Sequence, residues 1–427
     1  MWNRPWRFGI VTIAFLLLEL VRPTTSMAMQ QPTTTTRTTK VADGTKGANA
    51  IMNQKYKQSP EDDFFRSLRQ KTPPKFQYFL RDSGLLRFLV DTLTWTTAVP
   101  ALVREYPQAM GRFLQLSGFP PPMVSLLANV FIGNWDSSSA QGVVDPQVVG
   151  NDEHVAFVNI RYGRHPRQTI DVMRLGPESS YSPASTLFLF VHGGAWGSGS
   201  KEVYRVVAGP FLERGTVVAV LGYRTYPDGN VQDQVDDVVQ AFRTLKVENL
   251  IGTTTRFNLM GHSSGAHLSA MALLSNTELR EATKCFVSLS GVYDIPRHYQ
   301  YEKMRGVERF SPMAAACAGP SVPLLQAWKR QSPTWIAQSD VELKTFPDTL
   351  VYHGEDDTTV PTESASRFAQ SLENALETST SVVELAIQPQ VGHVDVMTQL
   401  MFGGISRNIV LDWMENRGAI ESLKCVN

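Results

Sequence analysis

Cysteine is scarce in this chain, and neither sign of charge dominates. The 427 residues contain 3 cysteines, none of them in a C-x-x-C pair, which argues against a zinc site or a disulfide scaffold. A bridge between Cys285 and Cys317 is left open at this stage, since it would depend on the redox compartment. With 40 basic and 40 acidic residues, the formal net charge is +0. That balance offers no basic surface to nucleic acid, so no nucleic-acid partner is expected.

Long uninterrupted apolar runs are also lacking. The run at 8–18 is shorter than the roughly 20 residues of a membrane span, and Arg4 and Arg7 precede it. The small residues Ser26 and Ala28 stand at the −3 and −1 positions of a predicted signal cleavage site. Residues 1–28 are therefore predicted to be a signal peptide or an uncleaved signal anchor, which places the chain in the secretory pathway. The polar residues 29–60, poor in aromatics, predict a disordered linker.

Residues 61–150 differ from the linker because apolar side chains recur there at mostly helical spacing. Arg87 and Asp91 interrupt the best candidate span, so no transmembrane helix is predicted. Two interpretations stay open. The helices pack on the following domain as a cap, which is the commoner role of an apolar helical stripe, or they lie on a membrane surface.

Residues 151–427 alternate short apolar strands with helical patterns. Strands are predicted at 154–160, 168–174, 186–191, 216–221, the run before 261, 285–289, 349–352 and 382–387. Such alternation is typical of the α/β class, with a mostly parallel sheet flanked by helices on both faces. Residues 292–347 are rich in Pro and Gly and weakly periodic, so they are predicted to form a cap insertion over an active site.

The sequence Gly-His-Ser-Ser-Gly at 261–265 is the centre of the functional prediction. It follows a strand-like run and precedes a small-residue helical run, which is the context of a nucleophile elbow. Such a turn exposes Ser263 as a nucleophile near a helix N-terminus. A mere Gly/Ser turn is the alternative, and the partner residues decide between the two.

An oxyanion hole is predicted directly after the strand at 186–191. There the chain reads His-Gly-Gly-Ala-Trp at 192–196, and adjacent glycines can present free N–H groups to a carbonyl oxygen. The N–H groups of Gly193, Gly194 and Ser264 are assigned as the oxyanion donors. The remaining residues of the stretch, His192, Ala195 and Trp196, are expected to bind substrate.

The general base is predicted to be His393, which lies between the last strand and the closing helix. Three acids compete to orient it, Glu355, Asp356 and Asp357. Asp357 is the first choice, four residues after His353, and Asp356 is the second. The resulting chain order, Ser then Asp then His, is that of the α/β-hydrolase fold.

Several motifs of residues 150–420 resemble the α/β-hydrolases of the hormone-sensitive-lipase type. Within that group the chain is most similar to the isoprenylcysteine α-carbonyl methylesterases. The shared stretches are His-Gly-Gly-Ala-Trp at 192–196, Tyr-Arg-Thr-Tyr-Pro at 223–227, 261–267, 290–295, 305–308, 311–313 and 353–357 with 360–361. The resemblance implies hydrolysis of the methyl ester on a prenylated C-terminal cysteine, at endoplasmic reticulum and Golgi membranes.

The functional hypothesis is therefore a serine carboxylesterase that needs no metal or organic cofactor. Its partner would be a small-molecule or lipidated-peptide ester, with membrane association as a second expectation and secretion as the alternative location. Kynurenine formamidases share the two glycine motifs, so amide hydrolysis of that type and general short-chain ester hydrolysis are alternatives. A non-catalytic binding protein of this fold would be expected to lack Ser263 or His393, and both are present.

Overall fold

The computed structural model describes residues 155–175, 184–308, 311–318, 323–339, 343–376 and 379–422. The predictions for 1–28, 29–60 and 61–150 lie outside these residues. Across the described ranges, no helix has both the length and the apolar character needed to cross a membrane.

A sheet of eight strands forms the centre of the described structure. The strands are β1 (Val155–Arg161), β2 (Thr169–Leu175), β3 (Thr186–Val191), β4 (Val217–Gly222), β5 (Arg256–His262), β6 (Thr283–Leu289), β7 (Asp348–Gly354) and β8 (Val383–Gln388). Every predicted strand is present, with boundaries that shift by about one or two residues, the usual uncertainty at strand ends. The predicted α/β class is confirmed.

Strand order explains why helices are needed on both faces. The order is β1-β2-β4-β3-β5-β6-β7-β8. β2 runs antiparallel to β1 and β4. The other six strands, β3 to β8, are parallel to one another. Parallel neighbours require a crossover, and the crossover helices cover the sheet.

Alternate side chains of β3 show the sheet buried on both faces. Leu187, Leu189 and Val191 belong to one hydrophobic cluster, and Phe188 and Phe190 belong to a second. All five side chains are fully buried. A strand that is apolar at every position therefore suits the middle of the sheet, since successive side chains point to opposite faces.

Helices cover the two faces of the sheet. They are α1 (Lys201–Tyr204), the 3-10 turn Arg205–Ala208, α2 (Gly209–Leu212), α3 (Val231–Val247), α4 (Ser264–Ser275), α5 (Thr277–Ala282), α6 (Ile295–Met304), α7 (Met313–Ala316), α8 (Leu324–Arg330), α9 (Pro333–Gln338), α10 (Thr362–Ala375), α11 (His393–Phe402) and α12 (Ile405–Asn416). Phe242 of α3 and Phe368 of α10 join one cluster, and Leu400 of α11 and Trp413 of α12 join the other. The sequence periodicity of α3, α10 and the closing helices is thus explained by burial of one face each.

The insertion between β6 and β7 contains the four short helices α6 to α9. Three of them, α7, α8 and α9, have 4, 7 and 6 residues. Helices of one or two turns show little of an apolar repeat, which explains the weak periodicity of this stretch. Tyr299 of α6 packs on Trp328 of α8 with ring centroids 4.6 Å apart. The helices of the insertion therefore pack on one another and not only on the sheet.

Candidate active site

Ser263 lies on the turn that joins β5 to α4. Its backbone has φ 55° and ψ −123°, a conformation that a residue with a Cβ rarely adopts. The Ser263 N–H donates to the carbonyl oxygen of Leu289 at the end of β6, at 2.8 Å. The side chain is half-buried, so the turn presents its hydroxyl at the carboxyl end of the sheet, as predicted from the motif.

Close packing explains both glycines that flank the serine. A Cβ on Gly261 would lie 2.5 Å from the carbonyl oxygen of Gly265, and a Cβ on Gly265 would overlap the carbonyl oxygens of Val191 and His192. No side chain fits where backbone approaches backbone so closely. The strand, the turn and the helix can therefore meet only with glycine at these two positions.

Three predicted residues from distant parts of the chain meet at this turn. His393 Nε2 lies 3.0 Å from the Ser263 Oγ, and His393 Nδ1 lies 2.7 Å from the Asp357 Oδ2. Asp357 follows β7 and His393 begins α11. In this geometry His393 Nδ1–H donates to the carboxylate, which leaves Nε2 free to accept the Ser263 proton.

The Asp357 carboxylate is buried and saturated with hydrogen-bond donors. Its Oδ1 accepts from the N–H groups of Thr359 and Val360, at 2.9 and 2.8 Å. Burial by itself would raise the pKa of Asp357, but the charge of His393 and hydrogen bonds from His353 and His393 bring it well below its usual range. The side chains of Glu355 and Asp356 are exposed, so of the three candidate acids only Asp357 contacts His393.

The loop after β3 lies directly against this turn. A Cβ on Gly193 would be 2.9 Å from the carbonyl oxygen of His262 and 3.0 Å from the Ser263 Cβ. Among the described residues, none accepts a backbone hydrogen bond from the N–H of Gly193, Gly194 or Ser264. These are the three predicted oxyanion donors, and Ser264 is the first residue of α4, where an unpaired N–H is expected.

The strand order and the positions of the three site residues together define the fold. A mostly parallel eight-stranded sheet carries a serine on the turn after β5, an acid after β7 and a histidine after β8. The chain has the α/β-hydrolase fold. Its active-site loops, like those of other open α/β sheets, lie at the carboxyl ends of the strands.

Comparison with known proteins agrees with this fold. A profile of the family described as BD-FAE matches residues 175–372. A probable isoprenylcysteine alpha-carbonyl methylesterase of Arabidopsis thaliana is 28% identical over 258 residues, which cover 56% of this chain and 58% of the relative. The resemblance to hydrolases of the hormone-sensitive-lipase type is thereby borne out. The chain spans little more than half the length of that relative.

Other relatives have different names. A kynurenine formamidase of Salmo salar is 31% identical over 147 residues, covering 33% of this chain and 47% of the relative. Among solved structures, an inhibited esterase B from Lactobacillus rhamnosis aligns with a TM-score of 0.49 and 18% identity, over 64% of this chain and 88% of that one.

The loop at 192–196 is called the oxyanion loop after the donors predicted there, and the buried side chain of His192 supports it. The ring is fully buried and stacks on Tyr223 at a centroid distance of 4.4 Å. The Tyr223 hydroxyl donates to the His192 carbonyl oxygen at 2.8 Å. A side chain without exposed surface cannot contact a bound ester. The predicted substrate-binding role of His192 is therefore replaced by one of holding the loop, whereas Ala195, which is exposed, keeps its prediction.

Trp196 has the same supporting role and needs the same correction. Its side chain is 2% exposed, and its Nε1–H donates to His267 Nδ1 at 3.1 Å. The opposite nitrogen of His267 donates to the Gln331 carbonyl oxygen at 2.7 Å. The Trp196 carbonyl oxygen accepts from the Tyr226 N–H and from Gln234 Nε2, at 2.8 and 2.9 Å. The oxyanion loop is thus tied to α3, α4 and the insertion.

The insertion between β6 and β7 borders the site at two further points. The Tyr301 hydroxyl donates to the Thr358 carbonyl oxygen in the loop that carries Asp357, at 2.7 Å. A Cβ on Gly197, next to the oxyanion loop, would lie 2.7 Å from Pro312 Cγ. These contacts are compatible with a cap, which stays a prediction for 292–347.

The elbow motif contains a second histidine, His262, which lies beside His393. His262 Nε2 lies 3.2 Å from the carbonyl oxygen of His393, and the two rings are 4.9 Å apart. His262 is the residue before Ser263, so the elbow motif itself was the available signal. Its contact fixes the backbone of His393 rather than the imidazole.

Both described cysteines are buried free thiols. Cys285 lies in β6 and Cys317 follows α7, and no disulfide joins them. Burial raises the pKa of Cys285 to about 12, which makes the thiol unreactive. The bridge left open by the sequence is thus absent, and neither thiol competes with Ser263 as nucleophile.

Four buried histidines predict that this protein loses stability in mild acid. Burial lowers the pKa from 6.5 to about 4 for His192 and His267 and to about 3 for His262 and His298. The unfolded chain therefore binds more protons than the folded one between about pH 4 and pH 6.5. Each histidine lowers the free energy of unfolding by up to about 1.4 kcal/mol per pH unit as the pH falls through this window.

Urea unfolding followed by circular dichroism at about pH 7, 6 and 5 checks this expectation. The midpoint concentration should fall at each step. A His298→Gln variant is the matched control, because it removes one protonating group and should reduce the slope. A wild-type midpoint that is constant between these pH values would contradict the assignment of neutral, buried histidines.

Proposed function

We propose that this chain is a serine ester hydrolase that works through Ser263, His393 and Asp357. The single observation that carries the proposal is the pair of contacts on His393, 3.0 Å to the Ser263 Oγ and 2.7 Å to the Asp357 Oδ2. A hydroxyl is a weak nucleophile until an adjacent base can take its proton. The geometry supplies that base, and it orients the base with a buried carboxylate.

The reaction proceeds through an acyl-enzyme. Ser263 Oγ attacks the ester carbonyl carbon while its proton passes to His393 Nε2, and the carbonyl oxygen becomes an oxyanion. We assign the N–H groups of Gly193, Gly194 and Ser264 as the donors to that charge, and one such donor is worth about 3–4 kcal/mol of transition-state stabilisation. The C–O bond then breaks and His393 returns the proton to the leaving alcohol.

Water completes the cycle by the same route in reverse. His393 takes a proton from the water, the hydroxide adds to the acyl carbon, and the carboxylic acid leaves as Ser263 regains its proton. Asp357 stays ionised throughout, since its pKa lies well below its usual range. It stabilises the imidazolium that forms in each half-reaction without taking the proton itself.

For the substrate, we propose the methyl ester of a prenylated cysteine, so that the leaving alcohol is methanol. The resemblance to proteins named isoprenylcysteine alpha-carbonyl methylesterase supports this choice. Large apolar side chains on the insertion, Met304, Leu324 and Leu325, are exposed, which is compatible with a lipidated substrate. Hydrolysis of an N-formyl amide is the second candidate, because a relative is named kynurenine formamidase.

The location that fits this substrate is the endoplasmic reticulum or Golgi membrane. The apolar run at 8–18, with its preceding arginines, and the family resemblance support this proposal. Fractionation of cells that express the full chain should recover it with these membranes. Recovery in the culture medium would instead support secretion.

Hydrolysis of two matched esters tests the substrate proposal. Farnesylcysteine methyl ester and S-ethylcysteine methyl ester differ only in the prenyl chain, and each buried methylene contributes up to about 0.8 kcal/mol. We expect kcat/KM to favour the farnesyl ester by at least about 10²-fold. N-formylkynurenine and a short aryl ester are run beside them.

Each alternative outcome has a distinct meaning. Equal rates on the two cysteine esters would contradict the prenyl substrate and leave a general carboxylesterase. Preference for N-formylkynurenine would favour the amidase candidate. Turnover that persists in Ser263→Ala would refute the proposed mechanism for every substrate.

A further inference from the structure

The Asp357 carboxylate is contacted by two histidines on the same oxygen. His393 Nδ1 lies 2.7 Å from Oδ2, and His353 Nε2 lies 3.2 Å from that atom. The serine-hydrolase mechanism uses the first contact only. The second is unexplained by the reaction steps above, although it is as buried as the first: neither His353 nor the Asp357 side chain has exposed surface.

The tautomer of His353 follows from its surroundings. The residue lies in β7 just before Gly354, and its Nε2 is also 2.9 Å from the Val360 carbonyl oxygen. Both neighbours of Nε2 are acceptors, so Nε2 carries the proton and shares it between them. The opposite nitrogen, Nδ1, is buried with no hydrogen-bond partner among the described residues. A proton there would be an unsatisfied buried donor, so the ring is neutral.

We propose that His353 is a positioning residue for Asp357. Its Nε2–H holds the carboxylate so that Oδ2 faces His393, and it takes up part of the negative charge of that oxygen. This role rests on the proposed hydrolase function and adds a fourth group to its triad of Ser263, His393 and Asp357. The Thr359 and Val360 N–H groups fix the other oxygen, so the carboxylate has no rotational freedom left.

The charge on Oδ2 determines how strongly the site stabilises the protonated base. A hydrogen bond to a carboxylate spreads its charge and weakens its attraction for the imidazolium. Besides His353, the titratable groups among the described residues that interact electrostatically with Asp357 are His393 itself, His262 on β5 and His298 on α6. The Tyr301 hydroxyl, from α6, approaches the same loop through Thr358.

Two substitutions of His353 distinguish the effect of losing its N–H donor from the effect of losing its ring. Glutamine can place an N–H donor where His353 Nε2 lies, whereas phenylalanine keeps a flat ring without any donor. In His353→Phe the carboxylate keeps its full charge and loses one of the contacts that orient Oδ2. We expect kcat/KM for a short aryl ester to fall by about 10²-fold, and the acid limb of its pH profile to move up by about one pH unit. His353→Gln should keep the wild-type limb.

Tyr352→Phe is the matched control on the same strand. Tyr352 is fully buried and donates to Ser406 Oγ at 2.8 Å, on the opposite face of the sheet. Its loss weakens β7 without touching Asp357, so the acid limb should stay where it is. Thermal unfolding of all variants of the full chain shows how much each loses in stability. The proposal is overturned if the acid limb of the His353→Phe profile stays at its wild-type pH. It is also overturned if the acid limb moves equally in His353→Gln or in Tyr352→Phe.

A measurement without turnover keeps the proposal testable if His353→Phe does not fold. NMR of the wild-type chain with ¹⁵N-labelled histidine reports which ring nitrogen carries the proton. We expect His353 to be the neutral Nε2–H form at about pH 7, and an Nδ1–H or doubly protonated ring would refute its role as described. A wild-type chain without ester hydrolysis would contradict the proposed function alone, since the tautomer is read independently.

Discussion

Replacing Ser263 with alanine is expected to lower kcat for a short aryl ester by about 10⁴- to 10⁶-fold. The Ser263 hydroxyl lies 3.0 Å from His393 Nε2, and without it no acyl-enzyme can form. The variant should unfold at a temperature close to that of the wild type, because alanine removes a half-buried hydroxyl and leaves the turn in place.

Ser366→Ala is the control for this variant. Ser366 is exposed on α10 and donates to the Thr362 carbonyl oxygen, so its loss removes a serine hydroxyl far from the elbow. Its kcat should be within about twofold of wild type. If Ser263→Ala were as active as this control, the assignment of Ser263 as the nucleophile would be wrong.

Replacing Asp357 with asparagine is expected to lower kcat by about 10⁴-fold. The amide oxygen or nitrogen can no longer hold a charge beside His393 Nδ1, so the imidazole loses the tautomer that leaves Nε2 free. Asp356→Asn is the matched variant, since it changes the same chemistry at an exposed neighbour. We expect it to keep kcat within about twofold of wild type.

The comparison of these two asparagine variants discriminates between the acids that the sequence left in competition. Circular dichroism must show that Asp357→Asn is folded, because the carboxylate also accepts from the Thr359 and Val360 N–H groups. An inactive Asp356→Asn beside an active Asp357→Asn would reverse the assignment of the acid.

Much of the fold and the site could be predicted because local chemistry determines them. The strand at 186–191 is apolar at every position after Thr186, which suits a strand buried on both faces. Gly261 and Gly265 marked the elbow because backbone meets backbone there. The spacing from His353 favoured Asp357 among three adjacent acids, and Asp357 is the one whose carboxylate lies beside His393 Nδ1.

Other features were beyond the sequence because they depend on long-range contacts. His192 and Trp196 were expected to touch substrate, but the fold buries them against Tyr223 and His267. Nothing in the local pattern distinguishes a side chain that faces a pocket from one that faces the core. The contact of His353 with Asp357 could not be predicted either, because it forms only when the loop after β7 folds back against β7.

The four helices of the insertion show a different limit. α7 and α9 are so short that their apolar residues reveal no period, and their packing follows from partners such as Tyr299 with Trp328. Residues 1–150 lie outside the described ranges, so the signal, linker and apolar helical predictions stay predictions.

The central claim is that Ser263 is the residue that becomes acylated, and covalent labelling tests it most directly. The full chain is incubated with an aryl phosphonate ester, digested, and analysed by mass spectrometry. The account predicts one phosphonyl group per chain on the peptide that contains Ser263, with no label in Ser263→Ala. Label on another residue, or equal labelling of the alanine variant, would contradict it.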